Sequence, residues 1–507
     1  MEKRMIVAIV LSIAILMGYQ FFSEKIAGPP VKSPPVKEEA KQEGKPAAVM
    51  PAPALPRTAA GGVEREISVE GDLFRTVLTT RGGTVSRVEL KDYKDKTGKH
   101  IVLKGDELVP PLAIGSDDSF QLGQVAFVTS SSDVKLTPQS PKSTITFEYS
   151  TGDLSVRRSY TFTRDHYAIS VKDEVSGTGA YWITLGKDFG IVEKEDSVHH
   201  GAVILQDADR IEFEQNKVKE PREFRERIKW IAQEDKYFCS AIVPKGAVQE
   251  AKVWNKDGTV LIAVQIPDGG NEYLVYAGPK EYDRLKSLGY GLEHIVDFGF
   301  FSILARPLFW VLKFFYGLVH NYGVAIIILT VLVRIPFIPL VNKGQKSMKK
   351  LQDIQPRMAE IREKHKKDPQ KMQQELMGLY KKHKVNPMGG CLPMVLQIPV
   401  FFALYKVLLI AIELRGAPFA LWIHDLSVKD PYYVLPIIMG VTMVIQQKMT
   451  PSTMDPRQQK LMMLMPIFFT FLFLSFPSGL VVYWLANNVL SIAQQFYVNK
   501  KAEKKPA

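Results

Sequence analysis

The sequence predicts a multi-domain membrane protein: a polytopic α-helical core of six transmembrane helices, five of them clustered, joined to a large antiparallel β-sandwich outside the membrane. Three observations carry that expectation. Apolar runs of spanning length occur at 5–22, 321–341, 390–412, 431–447, 461–476 and 479–498, each near the length that a tilted or thinned bilayer accepts. Between the first two runs lie roughly 220 residues of short, alternating strands broken by Gly, Asp and Asn. The basic residues collect in 1–4, 343–384, 448–460 and 499–507, with net charges of +1, +8, +2 and +3. Six spans place all four segments on one side, the cytoplasmic one by the rule for Lys and Arg.

Taken in order, residues 1–26 form an anchor. Met5 to Phe22 is uncharged and about 27 Å long as a helix, and Ser23 to Ala27 lacks the paired small residues of a signal-peptide cleavage site. Residues 27–62 carry eight prolines among Lys, Glu, Ala and Gly and read as a disordered, extended tether. Residues 63–289 form the sandwich, in which Tyr160 and Phe162, then Tyr167, Ile169 and Val171, show the period of two. Residues 290–320 are read as an amphipathic interfacial helix, because Arg306 and Lys313 stand one heptad apart on one face beside Pro307.

The second span is 321–341. Residues 342–388 form a cytoplasmic helical hairpin: Leu351, Ile354, Met358, Ile361 and His365 make one apolar stripe, and Met372, Leu376, Leu379 and His383 the other. Asp368 and Pro369 separate the two helices, and Pro356 marks the start or a kink of the first. Spans three to six fill 389–498, and 499–507 is a short basic tail.

Net charge over the 507 residues is +12, and the four inside segments exceed it. The excess is therefore a topology signal, and it gives no ground for sequence-specific nucleic-acid binding. Cys239 and Cys391 are too few for a disulfide framework or a thiolate metal cluster. His166, His199 and His200 lack a convergent ligand set, and the acidic residues of the sandwich nominate no catalytic pair. HExxH, GxSxG and Walker sequences are missing. The chain is expected to be no enzyme, with no cofactor and no metal.

The polar residues within the spans carry the chemistry. Arg334 lies in TVLVRIPFIPLV, about seven residues before Asn342, roughly 10 Å along a helix. A charge at the bilayer centre costs about 2.5–3.5 kcal/mol on insertion scales, which a wet cavity facing the cytoplasm reduces. The other reading is an Arg that snorkels to the inner interface. Thr330 lies one turn earlier. Trp484, Asn488, Ser491 and Gln495 are spaced 4, 3 and 4, giving the last span a polar face. Gln397 and Gln446 add amides toward the inner side, while Lys406 stands nearer the outer end and can snorkel outward.

The runs NPMGGCLPMVLQIPVFFALYKVL (386–408), APFALWIHDLSVKDPYYVLPIIMGVTM (417–443) and FPSGLVVYW (476–484) closely resemble the YidC membrane-protein insertases. The likeness is to the Gram-negative form, with an inner-membrane anchor and a large periplasmic domain. It implies insertion of nascent membrane proteins into the lipid bilayer without an energy source of its own, alone or with the Sec translocon. By position, Arg334 resembles the family's groove arginine and Thr330 its neighbour. Trp484, next to Tyr483, stands where relatives often have Tyr and contact substrate. Met439 matches a substrate-contact position two turns before Gln446, and Lys406 falls where relatives can have an uncharged residue. The tail KKAEKKPA lacks the long basic ribosome-binding extension of some relatives, which leaves ribosome contact to cytoplasmic loops. The sandwich resembles a sugar-mutarotase type and is read as non-enzymatic. Two other readings are an anion transporter using Arg334, which solute flux without insertion in liposomes would favour, and a structural anchor for the sandwich.

Overall fold

The computed structural model describes residues 64–193, 198–214, 217–256, 258–366, 368–383, 385, 392–449 and 456–503. The expected anchor at 1–26 and tether at 27–62 lie outside the described residues. The chain divides into two compact units, one containing residues 350–387 and the other the β-rich region with the remaining helices.

The β-rich region contains two sheets. The smaller runs His100–Lys104, Thr84–Lys94, Phe74–Thr79, Glu66–Glu70 and Val134–Lys135, antiparallel except for its last pair. The larger has eleven strands, and its centre is the long antiparallel pair Ala168–Thr184 and Thr259–Pro279. The sheets share one core. Phe74 of one stacks near Phe162 of the other at 6.0 Å, and the Tyr160 hydroxyl donates to Gly83 O at 2.7 Å.

Alternation fixes which side chains enter that core. In Leu154–Thr163 the buried positions are Leu154, Val156, Arg158, Tyr160 and Phe162, so an arginine occupies an inward place. It is kept there by chemistry rather than by hydrophobicity. Its Nε and Nη2 each donate to Asp173 at 2.7 Å, and the Tyr273 hydroxyl donates to the same carboxylate at 2.8 Å. Both members of the pair are fully buried, and the carboxylate holds the guanidinium's pKa above its ordinary value despite burial, which acts to lower it.

After the sheets come α1 (Tyr282–Leu288) and α2 (Ser302–Val319), then α3 (Tyr322–Arg334) and α4 (Ile338–Asp353). Pro336 and Pro339 remove two N–H donors, and a 3-10 turn at Ile335–Phe337 joins α3 to α4. The α2 helix and the continuous stretch Tyr322–Asp353 are long and apolar enough to cross a membrane, so length and composition alone also admit α2 as a span. Its Ala305, Phe309 and Leu312 are buried, with Phe309 in an aromatic cluster with Tyr282 and Phe298.

In the unit that holds residues 350–387, α5 (Gln355–Lys364) and α6 (Pro369–Lys382) form a hairpin. Pro356 lies in the first turn of α5. Asp368 caps α6 by accepting from Lys371 N, with Pro369 at its first position. Met358 is buried, and His365 reaches Glu375 at 3.2 Å.

The remaining helices are α7 (Leu392–Ile410), α8 (Val434–Met449), α9 (Pro456–Phe473) and α10 (Ser478–Glu503). Small residues permit close approach. A Cβ on Gly440 of α8 would sit 2.0 Å from Thr470 Oγ1 of α9, and one on Gly323 would sit 2.0 Å from the Phe419 ring.

Three cations of the helical part join acids around the β-rich region. Lys313 of α2 bonds Asp283, Arg415 meets Glu193 at 3.0 Å while lying over the Tyr237 and Phe238 rings, and Lys406 of α7 reaches Asp297 at 3.1 Å. Lys406, expected to snorkel outward, thus ends in an ion pair at the rim of a cavity of about 100 Å³ that Arg210, Glu212, Glu234, Lys280 and His199 also line. Burial acts to raise the Asp297 carboxyl, but Lys406, Arg210 and the Gly299 N–H outweigh it and hold the pKa at about 2. The folded-state value is depressed below the ordinary 3.8, so the stabilisation is present above that value and lost as pH falls through about 2. Acid unfolding followed by tryptophan fluorescence is expected to lose part of this limb in Asp297→Asn.

Candidate functional site

Arg334 closes α3, and its guanidinium turns toward α10. Nη1 donates to Asn487 Oδ1 at 2.7 Å and to Asn487 O at 3.2 Å, while Nη2 and Nε donate to Gln494 Oε1 at 3.1 and 3.3 Å. The amides are themselves held. Gln397 of α7 donates to Asn487 Oδ1 at 3.1 Å, and Gln494 donates to Asn342 Oδ1 of α4 at 2.8 Å. Arg334 is half-buried. Among the described residues, no carboxylate lies within ion-pairing distance of it.

Neutral amides orient a guanidinium without cancelling its charge. The arrangement therefore presents one net positive charge between four helices, ready to attract an acidic segment and to hydrogen-bond a polar backbone. It contains no nucleophile paired with a base, which removes the geometry of covalent or general-acid chemistry.

The other expected residues fall into separate environments. Thr330 is buried, and its hydroxyl donates to Ile326 O at 2.6 Å, so it bonds its own helix. Trp484 sits among Phe401, Phe469 and Phe473 with centroid distances of 4.9, 6.0 and 5.0 Å. Tyr483 is buried, with its ring 6.4 Å from Phe401. Asn488 donates to Thr442 Oγ1 at 3.2 Å, Gln495 to Met449 O at 2.5 Å, and Ser491 to Asn487 O at 2.7 Å. Asn488 and Gln495 thus bind α10 to α8. Met439 has no exposure at all, and Gln446 is half-buried on α8.

The structure brings Arg334 and Gln397 together with Asn487, Gln494 and Asn342, three residues that the spacing argument missed. The signal was present in the doublets Asn487–Asn488 and Gln494–Gln495. Repeating after seven residues, they mark two adjacent polar stripes, of which the spacing from Trp484 selects only one.

Comparison with known proteins agrees along the whole chain. The family model described as the YidC periplasmic domain matches residues 66–311, and the one described as the 60Kd inner membrane protein matches 314–505. The membrane protein insertase YidC of Geotalea daltonii is 43% identical over 527 residues, covering 99% of both chains. That of Syntrophus aciditrophicus is 41% identical over 547 residues, covering 99% of this chain and 100% of its own. A crystal structure of an active YidC insertase with its first transmembrane domain resolved aligns over 98% of this chain and 100% of that one, at 19% identity and a TM-score of 0.39. A β-rich periplasmic domain followed by a helical membrane part, matched end to end at this identity, places the chain in the YidC family of membrane protein insertases, inner-membrane proteins that are not enzymes.

Proposed function

We propose that this insertase admits the hydrophilic part of a nascent membrane protein into the polar site formed by Arg334, Gln397, Asn487 and Gln494, as a groove open to cytoplasm and lipid. The substrate's apolar segment meanwhile passes into lipid. The observation that carries this reading is a charge held in place by amides and matched by no carboxylate among the described residues. Such a site divides the cost of moving polar groups into the membrane into smaller steps. Burial of about 20 apolar residues supplies the downhill drive, aided for acidic segments by about 2.3 kcal/mol per charge for each 100 mV of membrane potential.

The topology that goes with this reading has six spans, both termini and the hairpin in the cytoplasm, and α2 in the outer interface. The positions of the basic segments support it. In a chain carrying Cys239→Ser and Cys391→Ser, Lys366→Cys is expected to be protected from an impermeant thiol reagent in spheroplasts and Ser150→Cys to react. Labelling at 366 would reverse the orientation of the site.

The Sec translocon and the ribosome are the partners proposed with it, the ribosome through the exposed Lys364, Lys366, Lys371, Lys381 and Lys382 of the hairpin. Deleting 357–384 is expected to lower insertion severalfold while the membrane helices stay folded, because Met358 and its neighbours bury one another. Unchanged insertion would reduce the hairpin to a self-packed loop.

A further inference from the structure

The guanidinium of Arg334 has five N–H groups and accepts nothing. Nη1 gives its two to Asn487, at Oδ1 (2.7 Å) and O (3.2 Å), while Nε and Nη2 each give one to Gln494 Oε1, at 3.3 and 3.1 Å. Among the described residues these bonds leave one N–H of Nη2 open and no adjacent pair with which to grip a carboxylate. An acidic group that is to be held by both oxygens has to displace one of the two amides.

The amides are not equally held. Asn487 Oδ1 makes the short bond to Arg334 and also accepts from Gln397 at 3.1 Å. Gln494 offers the Nε/Nη2 edge a single oxygen, shared between two donors at long distances. A carboxylate fits that edge better, because it brings one oxygen for each N–H and a charge. The chain contains the comparison: at Arg158 the same edge meets both oxygens of Asp173, each at 2.7 Å. Gln494 Oε1 thus stands in the place of a carboxylate, without the charge or the second oxygen.

Gln494 also keeps a tether when its oxygen is displaced. Its Nε2 donates to Asn342 Oδ1 at 2.8 Å and to Ile338 O at 3.4 Å, both on α4. The side chain is half-buried, so a displaced Oε1 can turn to water and the exchange strands no polar atom.

We propose that Gln494 is a specificity-determining residue of the insertase, a neutral placeholder on the Nε/Nη2 edge of Arg334 that an Asp or Glu of the substrate displaces. The incoming carboxylate binds that edge with both oxygens, while Asn487 keeps Nη1 in position. A neutral carbonyl brings one oxygen and no charge, does not outcompete Gln494, and is left the single open N–H of Nη2. The inference rests on the reading of Arg334 given above, and adds which edge is used and what a substrate must displace.

Insertion of one substrate in acidic and neutralised forms, by the full-length protein in proteoliposomes, tests this. The ratio of the two cancels effects on folding and helix depth. Gln494→Glu puts a permanent carboxylate on the edge, and is expected to lower the acidic-to-neutralised ratio about tenfold. Gln494→Met, similar in length and without an acceptor, clears the edge and is expected to raise the ratio severalfold, the size of one hydrogen bond. An amide that only ties α10 to α4 would change both forms alike and leave the ratio where it was. Ratios that move in the same direction in the two variants, or stay at the wild-type value in either, overturn the proposal. Arg334→Ala measured alongside separates the two levels. A ratio lowered there but unmoved at Gln494 removes the placeholder alone, whereas a ratio unmoved in all three variants removes the electrostatic reading of the site as well.

Discussion

Arg334→Ala is expected to lower insertion of substrates with acidic translocated segments more than tenfold, and to affect neutralised versions of the same substrates far less. A unit charge acting over roughly 10 Å at an effective dielectric constant near 20 contributes about 1.7 kcal/mol, which is more than a factor of ten. Arg334→Lys keeps the charge while losing the fork that engages Asn487 and Gln494, and should retain much of the activity. A snorkelling arginine would instead give small, equal losses for every substrate, because only helix depth changes. Protease protection of one substrate in acidic and neutralised forms separates the two. Equal sensitivity of both forms to Arg334→Ala would remove the electrostatic role.

The second large effect lies in the β-rich region. Asp173→Ala leaves the Arg158 guanidinium buried without its carboxylate, and is expected to destabilise that region by about 3–5 kcal/mol. The pair replaced together, as Arg158→Met with Asp173→Leu, should recover part of the loss, since two apolar side chains need no desolvated partners while the buried Tyr273 hydroxyl is left without its acceptor. Urea unfolding of the full-length protein in detergent, followed by tryptophan fluorescence, reports both. Similar midpoints for Asp173→Ala and the double variant would mean that the buried charge is not what the single substitution exposes.

Local patterns were legible in the sequence where one short segment determines the outcome. Alternation marked Tyr160, Phe162, Tyr167, Ile169 and Val171, all of them buried, and Pro356, Asp368 and Pro369 marked the helix starts of the hairpin. A charge inside an apolar run singled out Arg334 without reference to its neighbours. Its partners were not legible, because both stripes of α10 carry amides and only packing against α3 and α8 decides which face meets which. The Lys406–Asp297 pair escaped for the same reason, its members lying in distant segments. The strand order was equally hidden: Thr259–Pro279 lies between Phe238–Pro244 and Ala168–Thr184, a choice made by long-range pairing and not by alternation. Met439, expected from resemblance to meet substrate, lies fully buried in α8, with Asn488 reaching the neighbouring Thr442.

The central claim is that a nascent chain enters among the helices beside Arg334. A photo-reactive benzoylphenylalanine replacing Trp484, which packs among Phe401, Phe469 and Phe473 about one turn before Asn487 on α10, samples the approach to that place. Leu421, exposed in the loop between α7 and α8, is the control position. With a ribosome-bound chain stalled as its first apolar segment emerges, an adduct is expected at 484 and not at 421. No adduct at 484, or equal adducts at both positions, would contradict entry through this site.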